Sequence, residues 1–344
     1  MITDIYEKQQ VVESASMITT RDRLTVPVIL ERAEQAFPER IIASRTRSGV
    51  FRYTYHEFAR RVRKLAAALV TSGVREGDHV ATLAWNQHRH LEACFAVPTI
   101  GAVLHPLDLR LSPAQLTSII NHAADKVILA DADLVLQLES AAPRLETVNR
   151  YIVMSDESET QTRLTHVTSY EAFIEPAEPI RQWPELNGHD EAGIYLASAT
   201  SEFPEEVTYT HHALRQSSLG FRLADAVGVS AQDTTLMVAP LCHANALGIL
   251  IAAISMGAAL VLPGPHPDVN VFCELMDQER VTLAVGVPAV WLDVLALLGR
   301  EPYSASDVSR VLCRALPLQD LHRTVRMTFD GTIAWGGTGN AERI

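Results

Sequence analysis

Short apolar runs alternate with helix-spaced segments along almost the whole chain, and that rhythm admits few architectures. Strand-like runs fall at 79–83, 103–104 and 126–130, then near 193–197, 235–239, 259–262, 282–285, 310–312 and 332–335. Between them lie segments with helical spacing. Thr54-Tyr-His-Glu57 is a capping box in which Thr54 and Glu57 each satisfy a free backbone donor. The helix it opens puts Tyr55, Phe58, Val62, Leu65 and Leu69 on one face, and Gly73 stops it. A mostly apolar helix is expected at 88–100, and Ser112-Pro-Ala-Gln115 forms a second capping box with proline at the first helical position. Further helices are expected near 211–226, 244–256, 269–278, 288–298 and 318–328. Apolar strands separated by helices imply parallel sheets covered on both faces. The expected fold class is α/β, with multilayer parallel-rich sheets flanked by helices. A polar stretch at 155–190 reads as a linker. It divides a domain spanning 26–344 into subdomains of roughly 26–185 and 190–344, after an N-terminal extension of 1–25.

Composition narrows the partners. Lys plus Arg number 29 against 41 Asp plus Glu in 344 residues, a formal charge of −12. Such a surface repels phosphate backbones and anionic lipid heads, and aromatics at 6% leave few platforms for stacking bases. Nucleic acid and membrane surfaces are therefore poor partners. Cys94, Cys242, Cys273 and Cys313 are scattered with no C-x-x-C pair, which argues against a disulfide framework or structural zinc and for a reducing cytoplasm. The first residues lack the basic start and apolar core of a signal peptide. Residues 234–267 carry no Asp, Glu, Lys or Arg, but Asn245, Ser255 and Gly257 break the run. A buried helix followed by a strand is expected there, and no membrane span.

In parallel α/β folds ligands gather where strands lead into helices. The Ser- and Thr-rich loop from Ile194 to His212, I-Y-L-A-S-A-T-S-E-F-P-E-E-V-T-Y-T-H-H, occupies such a place. On composition alone it supports only a turn. The strings T-L-A-W-N-Q-H-R-H-L-E (from Thr82), A-V-P-T-I-G-A-V-L-H-P-L-D-L-R-L-S-P (from Ala96), I-I-N-H-A (from Ile119), P-L-C-H-A-N-A-L-G (from Pro240), V-L-P-G-P-H (from Val261) and G-V-P-A-V-W-L (from Gly286) add a resemblance. Together they resemble, in order and over nearly the whole chain from Val26, the large N-terminal domain of the adenylate-forming superfamily, in its medium- and long-chain fatty-acyl-CoA ligase branch.

That resemblance implies a two-step activity: a carboxylate joined to AMP with ATP and magnesium, then passed to coenzyme A. The family's phosphate loop reads roughly Y-T-S-G-T-T-G-x-P-K-G-V. Here Ser198, Thr200, Pro204 and Val207 match it, as do Tyr209, Thr210 and His211 beyond. Ala199, Glu202 and Glu206 stand at glycine positions, and Glu205 stands at the lysine position. Glycine permits positive φ and close approach of amides to phosphate, which Ala and Glu restrict. Two unit charges 4 Å apart interact by about 4 kcal/mol at an effective dielectric near 20. That equals the whole binding energy of a millimolar ligand, so binding of a triphosphate in the usual manner is not expected. The family's G-Y-G-M-T-E segment becomes A-W-G-G-T-G: Trp335, Gly336 and Thr338 fit, but Gly339 replaces the magnesium-holding glutamate. R-A-L-P-L-Q follows Cys313 where the adenine-contacting G-G-S-x-x-P is expected. The ribose-binding Asp segment, hinge and small C-terminal domain of the family are expected to be absent.

The acyl side keeps more of the pattern. Pro240, His243, Asn245 and Gly248 match a motif whose histidine lies beside the acyl and nucleotide groups. Cys242 stands at its aromatic position, and Leu247 where a tunnel-gating tryptophan is frequent. His243, Asn245, Leu247, Gly248 and Trp291 are thus the candidate substrate pocket. Ser198, Thr200, Trp335 and Thr338 are the residual nucleotide contacts, and His243 is the candidate catalytic group. Each has a plainer reading. His243 is a base or orienting group, or a satisfied core histidine; Glu205 and Glu206 form an acid–base pair or a solvated loop. His211 and His212 bind metal or enter a helix; Trp291 is core or pocket wall; Cys242 is a nucleophile beside His243 or a buried thiol.

No resident metal is expected, and ATP, AMP, magnesium and coenzyme A, which the resemblance implies, are not expected to bind as they do in the family. The expected protein is a diverged, truncated fatty-acyl-CoA ligase-like chain that does not adenylate carboxylates and retains at most an acyl or small-molecule pocket. The alternatives are an ATP-independent enzyme of acyl transfer or condensation built on that pocket, and a pseudoenzyme partner of a full-length ligase. The expected partners are an acyl or carboxylate ligand and a second copy or a full-length homologue.

Overall fold

The computed structural model describes residues 25–157, 161–196, 206–298, 300, 303, 305–313 and 332–335. Helix α1 (Val26–Ala36) precedes an antiparallel hairpin of β1 (Ile41–Thr46) and β2 (Gly49–Thr54). Then come α2 (Tyr55–Thr71), β3 (His79–Leu83), α3 (His88–Thr99), β4 (Val103–Pro106), α4 (Pro113–Ala123), β5 (Val127–Asp131) and α5 (Val135–Ala141). Next are β6 (Arg150–Met154), β7 (Val167–Ser169), α6 (Tyr170–Ile174), β8 (Glu191–Leu196), β9 (Glu206–Thr210) and α7 (His211–Arg222). The remainder alternates β10 (Thr234–Met237), α8 (Ala244–Met256), β11 (Ala259–Leu262), α9 (Val269–Gln278), β12 (Leu283–Gly286), α10 (Pro288–Leu298), β13 (Arg310–Cys313) and β14 (Thr332–Trp335).

Local chemistry sets the helix starts. Thr54 Oγ1 accepts from the Glu57 amide at 3.1 Å while the Glu57 carboxylate accepts from the Thr54 amide at 2.8 Å. Ser112 and Gln115 repeat the exchange at 3.3 and 3.0 Å. The five apolar positions read from the sequence on α2 are all fully buried. At the other end of α8, Gly257 takes φ +73° as a left-handed cap, and a Cβ there would lie 2.4 Å from the Phe37 ring.

Among the described residues the strands form two seven-stranded sheets, ordered β14-β13-β12-β10-β11-β1-β2 and β7-β6-β5-β3-β4-β8-β9. Every pairing is parallel except β1 with β2 and β8 with β9, each at one edge. Side-chain alternation along each strand divides the interior into layers. In β5, Val127 and Leu129 join the central core, whereas Ile128 and Ala130 pack against α4 and α5. In β12, Leu283 and Val285 face the same central core, while Ala284 meets α9 and α10. The central layer holds α3, buried along its whole length, and α8. The result is an α/β stack with helices between the sheets and outside both.

Several expectations need correction. The polar stretch at 155–190 is not a bare linker, since it contains β7 and α6. Its anchor is ionic. Glu92, fully buried, accepts from Arg61 Nε at 2.8 Å and from the Tyr170 hydroxyl at 2.6 Å, and Glu171 binds both Arg61 and Arg89. The sheets also do not divide at 185–190: β1 and β2 complete the sheet built from β10 to β14, and β8 and β9 complete the sheet built from β3 to β7. Helix α7 stops at Arg222, short of 226, where Leu223 turns to extended backbone. The helix expected at 318–328 lies outside the described residues. No helix among the described residues is long and apolar enough to cross a membrane. The uncharged stretch at 234–267 is β10, α8 and β11.

Candidate functional site

Of the phosphate-loop positions, Ser198, Ala199, Thr200, Glu202, Pro204 and Glu205 lie outside the described residues, as do Thr338 and Gly339. The loop re-emerges at Glu206, the first residue of β9, which pairs antiparallel with Leu196 of β8. Val207 and Tyr209 continue that strand. Thr210 caps α7, its Oγ1 accepting from the Ala213 amide at 3.1 Å. His211 enters the helix fully buried, with Nδ1 accepting from the Val26 amide at 3.3 Å. Burial lowers its pKa to about 4, which keeps the imidazole neutral at the start of the helix.

Glu206 turns inward. Its Oε1 stands 3.2 Å from Nε2 of His105 on β4, whose Nδ1 lies 2.8 Å from Oδ2 of Asp125. The His105 and Asp125 side chains are wholly buried, and that of Glu206 is 15% exposed. Burial opposes a charge on His105, but the Asp125 and Glu206 carboxylates outweigh it and raise the imidazole to about 9. The exposed His122 approaches the other Glu206 oxygen at 4.0 Å. Glu206 is therefore not a solvated residue: its carboxylate lies in ionic contact with a buried, charged imidazole. Sequence reading gave His105 and Asp125 no role. Their only signal was polar residues beside a short apolar strand.

The acyl-side motif lies in the turn from β10 into α8. Asn86, after β3, holds this turn from the other sheet: its Nδ2 donates to the carbonyls of Met237 and Ala239 at 2.7 and 2.9 Å, and its Oδ1 accepts from the Leu241 amide at 3.0 Å. His243 is the N-cap residue of α8 and half-buried, and its amide donates to the Pro240 carbonyl at 3.1 Å. Asp108, in the turn after β4, joins Cys242 and His243, so that one donor atom from each lies within 4.8 Å of the others. Asp108 and Cys242 are buried. The Arg110 amide and Nε donate to Asp108 Oδ1 at 2.9 and 3.0 Å, while Nη2 donates to Oδ2 at 2.6 Å. Burial works against ionisation of Asp108, but these Arg110 contacts hold its pKa below the usual carboxylate value.

The remaining candidates scatter. His243, Pro240, Ala246 and Phe221 border an apolar void of about 30 Å³. Leu247 is packed in the central core. Gly248 lets α7 approach α8, since a Cβ there would sit 3.1 Å from both Phe221 and Ser217. Trp291 is fully buried on the far side of the sheet, against α9 and β13, behind Gly286. It is core. Asn245 is the second residue of α8, and Trp335 ends β14 opposite Cys313. Sequence reading also missed a polar cleft of about 760 Å³ at the ends of β1, β5 and β6, bordered by Arg45, Gln87, Arg89, Asp131 and Asp156. Burial pushes Asp131 up to about 7, although the Trp85 amide and Gln87 both donate to it.

Comparison with known proteins gives a consistent result. The AMP-binding enzyme family matches residues 30–338. A long-chain-fatty-acid–CoA ligase of Thermus thermophilus is 43% identical over 312 residues, 90% of this chain and 56% of that protein. A 3-methylmercaptopropionyl-CoA ligase of Ruegeria pomeroyi is 34% identical over 78% of this chain and 50% of its own length. A medium-chain-fatty-acid–CoA ligase of Ectopseudomonas oleovorans is 33% identical over 85% and 54%. The chain thus spans about half the length of the curated relatives it matches. Among solved structures, a long-chain-fatty-acid–CoA ligase from Archaeoglobus fulgidus superposes with a TM-score of 0.79 at 17% identity, over 92% of this chain and 64% of that one. An N-terminal domain of FACL13 from Mycobacterium tuberculosis gives 0.75 at 20% identity, over 92% and 76%. These likenesses bear on the fold.

Proposed function

Because the chain belongs to the AMP-binding enzyme family, we propose that it is an acyl-CoA-ligase-like protein that does not adenylate carboxylates with ATP and keeps at most a small-molecule pocket on the acyl side. The observation that carries this reading is the capture of Glu206 by His105. A glycine at that position would leave the loop end free to bend its amides around a phosphate. Glu206 instead begins a paired strand and is tied through its side chain to a buried imidazole. Its neighbour Glu205 stands at the lysine position, where the substitution changes the local charge by two units. With Glu202 in the same loop and Gly339 in place of the metal-holding glutamate, the chain offers carboxylates where a triphosphate needs amides and a cation.

This reading places the protein in a reducing cytoplasm, in keeping with four buried cysteines that form no disulfide. The residues at the positions of the family's ATP and magnesium site, Glu202, Glu205, Glu206 and Gly339, do not fit those groups here. The test is direct. Isothermal titration of the purified chain with magnesium–ATP is expected to give no saturable heat up to millimolar nucleotide, and assays with carboxylic acids of graded chain length no pyrophosphate. Saturable ATP binding, or acid-dependent pyrophosphate release above background, overturns the reading.

A further inference from the structure

We propose that Asp108, Cys242 and His243 form a binding site for a divalent transition metal of the zinc type. The three residues come from two turns, one after β4 and one after β10, so each sheet supplies part of the site at the carboxyl end of a strand. In α/β folds ligands collect there. One donor from each residue lies within 4.8 Å of the other two. Zinc bonds of about 2.3 Å to sulfur and 2.0–2.2 Å to nitrogen and oxygen place tetrahedral donors roughly 3.3–3.7 Å apart. Closure around one ion therefore requires side-chain shifts on the order of an ångström.

The triangular arrangement separates this site from a nucleophile relay. In a Cys–His–Asp relay the thiol and carboxylate bond to opposite nitrogens of the ring, which puts sulfur and oxygen roughly 7 Å apart. Here the sulfur and a carboxylate oxygen lie within 4.8 Å of each other. A compact triangle of three donors, each near the other two, suits coordination to one ion better than a relay. Thiolate, imidazole and carboxylate together suit zinc or a neighbouring first-row ion over magnesium or calcium, which take oxygen donors.

The surroundings are arranged to hold the donors. Arg110 donates to both oxygens of Asp108 and fixes the carboxylate plane, and because its side chain is 73% exposed it can give up its longest contact, Nε to Oδ2 at 3.2 Å, to an incoming ion. Asn86 holds the turn that carries Cys242 and His243 by three hydrogen bonds. Cys242 stands where the family resemblance implies an aromatic residue, so this donor is no part of the family's acyl-site pattern. None of the three residues enters the argument against adenylation, and the two proposals stand or fall separately.

The test uses the full chain. After chelation and dialysis, titration with cobalt(II) is expected to produce one equivalent of tight binding with a thiolate-to-cobalt charge-transfer band in the near ultraviolet. Zinc should displace it. Cys242→Ser should abolish the band, and Asp108→Asn should weaken cobalt binding more than tenfold, with Cys273→Ser as the control that leaves both unchanged. X-ray absorption at the zinc edge of the wild-type protein, which depends on no variant, is expected to show one sulfur and two or three nitrogen or oxygen neighbours. A wild-type titration without the charge-transfer band, or an absorption spectrum with no sulfur neighbour, overturns the proposal. Retention of the band in folded Cys242→Ser also overturns it.

Discussion

Replacing Glu206 with glutamine removes one of the two carboxylates that face His105, and the resulting loss of stability is full at neutral pH and fades as pH rises through 9. His105 titrates at about 9 in the folded protein against about 6.5 in an unfolded chain. Its folded pKa is raised, so the stability it contributes is complete below about 6.5 and is lost as pH climbs through 9. Two and a half pH units correspond to about 3 kcal/mol at this wholly buried site. Asp125 is the dominant partner and Glu206 the lesser one, so Glu206→Gln is expected to remove about 1 kcal/mol of that pH-dependent loss. Burial lowers His90 and His211 to about 4, and the Glu206 change touches neither, so both cancel from the difference. Asp131, at about 7, adds a loss of the same sign at the lower edge, but equally in both proteins, so it cancels from the difference. Urea titrations at half-unit intervals from pH 6 to 9, followed by circular dichroism, measure the two slopes. Parallel slopes, or a wild-type stability that is flat across the window, would refute the assignment of a charged His105 held by Glu206.

Three further outcomes follow from contacts elsewhere. Glu92→Ala should cost about 2–3 kcal/mol, because it removes the partner of Arg61 Nε and of the buried Tyr170 hydroxyl while Glu171 still pairs with the guanidinium, and a loss under about 1 kcal/mol in urea unfolding contradicts that. Gly257→Ala should lower the unfolding free energy by at least about 1–2 kcal/mol, since the new methyl both strains φ +73° and meets the Phe37 ring; an unchanged urea midpoint would mean that α1 and α8 separate freely. Asn86→Ala leaves the Met237 and Ala239 carbonyls and the Leu241 amide without their partner and should destabilise by about 2–4 kcal/mol, while also weakening cobalt binding if the turn it holds positions Cys242.

What the sequence made legible was what local chemistry decides. Capping boxes at Thr54 and Ser112, and the run from Ala244 to Met256, mark helices whose ends depend on residues a few positions away. The edge hairpin of β1 and β2 escaped because it alternates poorly, with Phe51 and Arg52 both exposed. The stretch at 155–190 looked like a linker because its polar residues find partners, Arg61 and Arg89, on helices far back in the chain. The same limit applied to the site. Glu206 was recognisable as a departure from the phosphate-loop pattern, but its pairing with His105 depends on the lateral order of strands, which no local spacing encodes. The adjacent pair Cys242 and His243 gained a third donor only when β4 and β10, in different sheets, brought Asp108 beside them.

The exchange of antiparallel pairs between the two sheets has a consequence for how the chain can be divided. A break in the exposed stretch around Pro184 and Glu185 would leave one piece with most of one sheet and the rim of the other, and the second piece with the reverse. Neither piece would own a finished edge. Expressed alone, each would present an orphaned ribbon and an open flank. Mixed, the two would regain their edges only by clasping, as interlocked halves of one body.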